Sequence, residues 1–148
     1  MIRFHVPAVP VAQPRQRHRA LTINGRTITQ NYTPEKHPVQ TFKGYVRLAL
    51  ISAYTGAPLE GPVSMRIVFI MPRPKSMLWK SKPMPRVAHI AKPDSDNLVK
   101  ACKDALSKFA WRDDAQVCRM TVEKWIAAGD ERPHVVIEIA VIAAGEGT

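Results

Sequence analysis

KPDSDNLVKACKDALSKFAWRDDAQV, residues 92–117, decides how the rest of this chain is read. Five of the twelve acidic residues fall inside it: Asp94, Asp96, Asp104, Asp113 and Asp114. Pro93 biases Lys92 toward an extended backbone. Asp94 and Asp96 lie two apart, so on an extended segment they point the same way. Asp96 or Asn97 then suits a helix N-cap. Leu98, Ala101, Cys102, Ala105, Leu106 and Phe109 follow the i, i+3, i+4, i+7 spacing of a buried stripe, which predicts a helix over 97–109. Lys100 and Asp104 continue the face that carries Asp96. Asp104 is expected to pair with Lys100, Lys103 or Lys108 across helix turns. Trp111 to Asp114 closes the unit, and Gln116-Val117 opens a strand-like run.

Outward from this stretch the pattern alternates between strand and helix. Val63, Met65, Ile67, Phe69 and Met71 alternate with Ser64 and Arg66, as in a strand with one buried face. After the acidic stretch, Cys118, Met120, Val122 and Ile126 alternate with Arg119, Thr121, Glu123 and Trp125. Val135, Ile137, Ile139 and Val141 give a last strand, expected to pair antiparallel with the one before it. Toward the N-terminus, residues 1–6 alternate weakly. Asn24-Gly25 between β-branched runs signals a hairpin. Thr33 is a plausible cap, with Pro34 and Glu35 opening a helical region. Phe42, Tyr45, Val46, Ala49, Leu50 and Ala53 mark the apolar face of a helix over about 39–54, ended by Gly56-Ala57-Pro58. The order implies one α+β domain over 1–148, with a mixed or antiparallel sheet covered by two helices. Cys102 and Cys118 fall on predicted core positions and read as free buried thiols.

Charge divides the chain. Residues 1–92 carry fifteen Lys/Arg against two Asp/Glu, whereas residues 93–148 carry seven against ten. Such a basic excess calls for a polyanionic partner. No basic amphipathic helix or lipidation signal accompanies it, so nucleic acid outranks a membrane surface. No apolar run is long enough to span a bilayer, and no signal-peptide core is visible, so a cytoplasmic location is expected. Residues 7–19, PAVPVAQPRQRHR, read as extended, with Arg15, Arg17 and Arg19 on one side, a comb suited to phosphates or a solvated loop. Residues 72–92 read as a long basic loop, of the kind usually functional or disordered. Its Lys75, Lys80 and Lys82 are further candidates for phosphate contact. Trp79 could stack on a base, but packing the loop onto the core is favoured. His89 is more often incidental than a metal ligand.

Oxygen-only donors such as these suit magnesium, with manganese a plausible substitute, and a divalent cation is what phosphodiester cleavage needs. Crowded carboxylates repel one another unless a cation sits among them. A lone D-x-D is weak evidence, since many are helix caps and some serve sugar nucleotides, and a lone D-D reads as a turn. The extended pattern is specific. D-x-D-N-L-x-K-A-x-x-D-A-L followed by D-D-A-Q-V resembles the RusA family of Holliday-junction resolvases of bacteria and their prophages. The resemblance implies metal ligands at Asp94, Asp96 and Asp114, with Asp113 assisting, and a catalytic lysine at Lys100. It also implies a small homodimeric α+β fold acting on four-way junction DNA by paired nicks, in recombination and repair. A non-catalytic binder of branched DNA and a nuclease for other branched or flap substrates are the rivals. One geometric demand follows. A helix over 97–109 is about 20 Å long, so Asp114 can approach Asp96 only if the chain doubles back, the helix starts late or bends, or a second copy completes the site.

Overall fold

The computed structural model describes residues 1–15 and 17–147, without the side chains of Arg17, His18 and Asn31. Nine strands and helices follow in order: β1 (Ile2–Val6), β2 (Arg17–Ile23), β3 (Arg26–Tyr32), α1 (Pro38–Ala53), β4 (Val63–Met71), β5 (Val87–Ala88), α2 (Ser95–Leu106), β6 (Val117–Ile126) and β7 (His134–Val141). The fold is α+β, as the sequence implies. Two short 3-10 turns, Lys75–Met77 and Asp114–Gln116, lie in the connections.

The main sheet runs β1-β7-β4-β6-β5. Strand β4 is central, and its run Ile67–Met71 is buried throughout, more than simple alternation suggests. A strand covered on both faces reads as a continuous apolar run. Strands β4 and β6 are parallel, with α2 in the crossover between them. The last strand is not paired with β6 as expected. It crosses β4 and lies antiparallel between β4 and β1. The pairing is tertiary: Ile137 and Ile139 sit beside Ile67 and Met65, and a two-sided apolar partner wins over the nearest strand in sequence.

Both helices pack on one face of this sheet. Val39, Phe42, Val46 and Leu50 of α1 join Leu98, Ala101, Cys102 and Leu106 of α2 against Met65, Ile67 and Ile137. Helix α1 begins later than the Pro34-Glu35 signal. His37 caps it, its ring accepting from Val39 N–H at 3.1 Å, with Pro38 in the first turn. Helix α2 both starts and ends earlier than the periodicity predicts. Asp94, not Asp96 or Asn97, is the N-cap, and Asp96 sits inside the first turn. Lys108 at φ 73 breaks the helical run. Phe109 therefore leaves the stripe and is 43 % exposed, with the Arg47 guanidinium 5.0 Å from its ring centre. Cys102 is buried, and desolvation drives its thiol pKa well above the ordinary range. Cys118, by contrast, is exposed, as is the whole of 118–121 including Met120, so the expected buried alternation is absent from the first half of β6, which α2 leaves open. Among the described residues no helix is long and apolar enough to cross a membrane.

The loop between β4 and α2 is ordered by its own contacts. Arg73 donates to the carbonyls of Met77, Pro85 and Ala127. Trp79 is stacked between Arg73 at 4.9 Å and Lys82 at 4.6 Å. Arg86 forms a forked ion pair with Glu131, which also accepts from Ala128 N–H. That pairing, first through the hydrogen bond from Arg86, depresses the Glu131 carboxyl to about 2. A depressed folded pKa stabilises the fold above the unfolded value and loses that contribution as pH falls through the folded one. Stability should therefore decline between the ordinary carboxylate pKa of 4.5 and about 2. Urea titrations across this range should show a shallower decline in Glu131→Gln; identical pH slopes would remove the pair from the account.

Candidate active site

A cleft of about 550 Å³ opens between the polar face of α2 and the exposed stretch of β6. Asp96, Lys100, Lys103 and Asp104 line one side, at the i, i+4, i+7, i+8 positions of one helical face. Met120 and Val122 of β6 and Asp114 line the other. Three carboxylates and two ammonium groups thus line one space open to solvent. Asp104 reaches Lys43 of α1 at 3.4 Å, not the neighbouring helical lysines. Lys43 comes from α1, the helix packed beside α2.

Asp114 arrives at the cleft because the chain does double back. After Leu106, Lys108 N–H donates to Trp111 carbonyl at 2.7 Å, and Ser107 and Trp111 form an isolated bridge. Lys108 Nζ adds a bond to the Arg112 carbonyl at 2.8 Å. The next turn is a capping box. Asp113 accepts from Ala115 N–H at 2.8 Å, and Gln116 Oε1 accepts from Asp113 N–H at 2.9 Å. Gln116 Nε2 then donates to the carbonyls of Leu59 and Gly61. Behind the cleft, Trp111 is fully buried, and its Nε1–H donates to Asp114 Oδ1 at 2.8 Å. That bond fixes one carboxylate oxygen against the core.

The sequence-derived site residues divide. Asp96, Lys100 and Asp114 line the same cleft. Asp94 does not line it: it is the helix N-cap at extended φ and ψ, whereas Asp96 lies inside the first helical turn. Asp113 is spent on its own turn. Among the described residues no group of three His, Cys, Asp or Glu side chains is gathered to hold a metal. The expected three-carboxylate cage is thus not assembled within one chain. Asp96 and Asp114 remain a donor pair of hard oxygens, and magnesium is commonly held by one or two carboxylates, with water and substrate phosphate completing its shell. The residues present fit such an ion on those terms.

Other expectations fall elsewhere. Arg15 and Arg19 are exposed at the base of the β2–β3 hairpin, and the Arg17 side chain lies outside the described residues. Lys75, Lys80 and Lys82 are exposed on the loop after β4 and do not line the cleft. His89 also lies off the cleft. Burial, and then the neighbouring Lys124 ammonium, holds its imidazole below the usual pKa.

Sequence reading missed Lys103, although its spacing from Asp96 and Lys100 marks the same face. It also missed Trp111, whose only sequence signal is a tryptophan three residues before an aspartate. Lys124 gave no signal at all. From β6 it donates to the carbonyls of Ala91 at 2.7 Å and Pro93 at 2.6 Å, fixing the approach to Asp94.

The family model described as Endodeoxyribonuclease RusA matches residues 7–140. The chain belongs to the RusA family. A protein of Bacillus subtilis (strain 168), the uncharacterized protein YqaN, is 33% identical over 148 residues, covering 97% of this chain and 98% of that one. The RusA match spans the arm, the hairpin, both helices and the cleft, so the acidic motif and the basic N-terminal half lie within one family pattern.

Gln116 is the test of how the return turn is held. Gln116→Ala removes a side chain that bonds Arg112 and Asp113 N–H and the carbonyls of Leu59 and Gly61. The expected cost is about 1–3 kcal/mol, read by urea unfolding. A change indistinguishable from zero would mean water replaces those bonds.

Proposed function

We propose that this RusA-family protein is a magnesium-dependent, structure-selective endonuclease that resolves four-way DNA junctions during recombination and repair. The observation that carries the reading is the convergence of Asp96, Lys100 and Asp114 on one open cleft in a protein of net charge +10. Asp96 and the free oxygen of Asp114 would hold the cation, with Asp94 at the rim and manganese able to substitute. When bound, such an ion offsets the phosphodiester's charge and lowers the pKa of the attacking water.

The chain's own groups supply the rest. Lys100 stands one helical turn beyond Asp96 and aims an ammonium at charge developing on the phosphate. Lys103 extends that positive edge along the helix. Water attacks phosphorus in line, a bond to one bridging sugar oxygen breaks, and the proton lost by the water reaches solvent through the open side of the cleft. Exposed Arg15, Arg19, Lys75, Lys80 and Lys82 would take phosphates away from the cut. Paired nicks need two sites, and a two-fold homodimer provides them.

The deciding experiment incubates the protein with a synthetic four-way junction and with linear duplex, each with and without Mg²⁺. Cutting of the junction alone, and only with the ion, is expected. Metal-independent binding with no cutting under any condition would leave a DNA-binding protein and end the nuclease reading. Asp96→Asn should lower the cleavage rate by at least about a hundredfold while junction binding holds or tightens, because a negative charge near phosphate is lost. Equal cleavage by this variant would remove Asp96 from the site.

Trp111→Phe keeps the ring's bulk and deletes the donor to Asp114. Loss of such an orienting bond should weaken Mn²⁺ binding by about 10–100-fold, measured by calorimetry on protein without DNA. Unchanged calorimetric affinity would confine Trp111 to packing.

A further inference from the structure

The β2–β3 hairpin stands apart from the helix-covered sheet as its own two-stranded sheet. Asn24 at φ 50 and Gly25 at φ 76 form the tight turn that its sequence announces. Seven residues per strand give it a reach of about 20 Å. From Arg19 to Gln30 all but Leu21 are exposed, including Ile23 at 52 % and Ile28 at 49 %. A lone two-stranded hairpin is marginal in water, so an occupant for its surface is to be sought.

Three observations choose the occupant. First, residues 1–34 contain no acidic side chain, while Arg15, Arg19 and Arg26 flank or belong to the hairpin. Duplex DNA, a polyanion along its whole length, meets that surface with opposite charge. Second, the two faces differ in a way that suits base edges. Arg19, Leu21 and Ile23 lie opposite Gln30, Ile28 and Arg26 on one face, and Ala20 and Thr22 lie opposite Thr29 and Thr27 on the other. Gln30 accepts from Arg19 Nε at 2.9 Å, and the guanidinium lies 5.0 Å from the Tyr32 ring centre, so this cation is held in a set pose. Third, the hairpin is rooted at the cleft. Gln13 Nε2 donates to Thr33 Oγ1 at 3.1 Å, closing the base between the two chain ends. Gln13 N–H donates to the Asn97 carbonyl at 3.0 Å, and Asn97 lines the cleft.

The geometry points to the β2–β3 hairpin as a ribbon that lies in the major groove of a duplex arm leaving the cleft. The inference rests on the nuclease reading's DNA substrate and adds the surface that grips it. A two-stranded ribbon is an element that the major groove, about 12 Å wide, admits. Arginine at the flanking phosphates, threonine at base edges, and Leu21, Ile23 or Ile28 against thymine methyls are the contacts it offers.

The experiment replaces residues 20–29 by Asn-Gly, which keeps the Arg19–Gln30 rung and shortens the ribbon. A second variant, Arg19→Ala with Arg26→Ala, keeps its length. Binding of a labelled four-way junction is measured without divalent metal over a salt series, and dimethyl sulfate probes guanine N7 in the major groove. The shortened protein should bind about tenfold more weakly, and the double variant should lose about two units of the salt slope. N7 protection on the arm nearest the cleft should disappear in the shortened protein. Circular dichroism of the helices should be unmoved, since neither change touches the core. Unaltered affinity, slope and protection together would overturn the inference. So would a fall in sedimenting mass of the shortened protein, which would assign the hairpin to a second copy. Failure of the intact protein to cut junctions bears on the nuclease reading alone, because every readout here is binding.

Discussion

The indole N–H of Trp111 is the point where the needs of the core and of the cleft coincide. The ring is fully buried, and a buried indole N–H left without an acceptor is costly. Its acceptor is Asp114 Oδ1. The same residue's backbone anchors the return from α2, through the bond from Lys108 N–H and bridges to Ser107 and Leu59. The carboxylate therefore cannot drift into solvent without orphaning a donor in the core. A side chain that would otherwise be an exposed turn aspartate is held facing α2 by the packing of a large aromatic.

Around that fixed oxygen the charge is nearly balanced. Asp96, Asp104 and Asp114 meet Lys100 and Lys103 in the cleft, and Lys43 draws Asp104 toward α1. This reduces the effective negative charge to the two ends of the cleft, Asp96 and Asp114. A phosphodiester entering here is pulled by the basic body and repelled only locally. Two carboxylates with lysines between them make a weaker cation trap than three crowded ones.

Much of the fold was legible because its determinants are local. The α2 stripe from Leu98 to Leu106 reads directly, since one face packs and the other does not. The hairpin turn reads from Asn24-Gly25 because few residue pairs tolerate two positive φ angles. The Asp96–Lys100 pairing reads because four residues close a helical turn. What failed depended on tertiary choices. Strand β7 lies between β4 and β1 because of which apolar face it completes, and adjacency in sequence carries no such information. The helix starts at Ser95, two residues before the expected start, which makes Asp94 the N-cap and puts Asp96 inside the first turn. The first half of β6 is left exposed, and Cys118 lies outside with it. The β4 loop, read as either functional or disordered, is tied down by Arg73 on three backbone carbonyls, by the Trp79 ring beside Arg73 and Lys82, and by the Arg86–Glu131 pair, partners that a sequence does not display.

The arm before the hairpin links these parts. Gln13 is buried at 8 % exposure, in a segment otherwise fit for solvent. Its amide closes the hairpin base on Thr33, and its backbone N–H reaches the first turn of α2. That turn carries Asp96. The hairpin base and the helical turn that carries Asp96 are therefore joined through one short hydrogen-bonded segment. Leu98 and Val99 are the first α2 residues anchored in the core, so the turn before them is held by the arm as well as by the helix's own ladder.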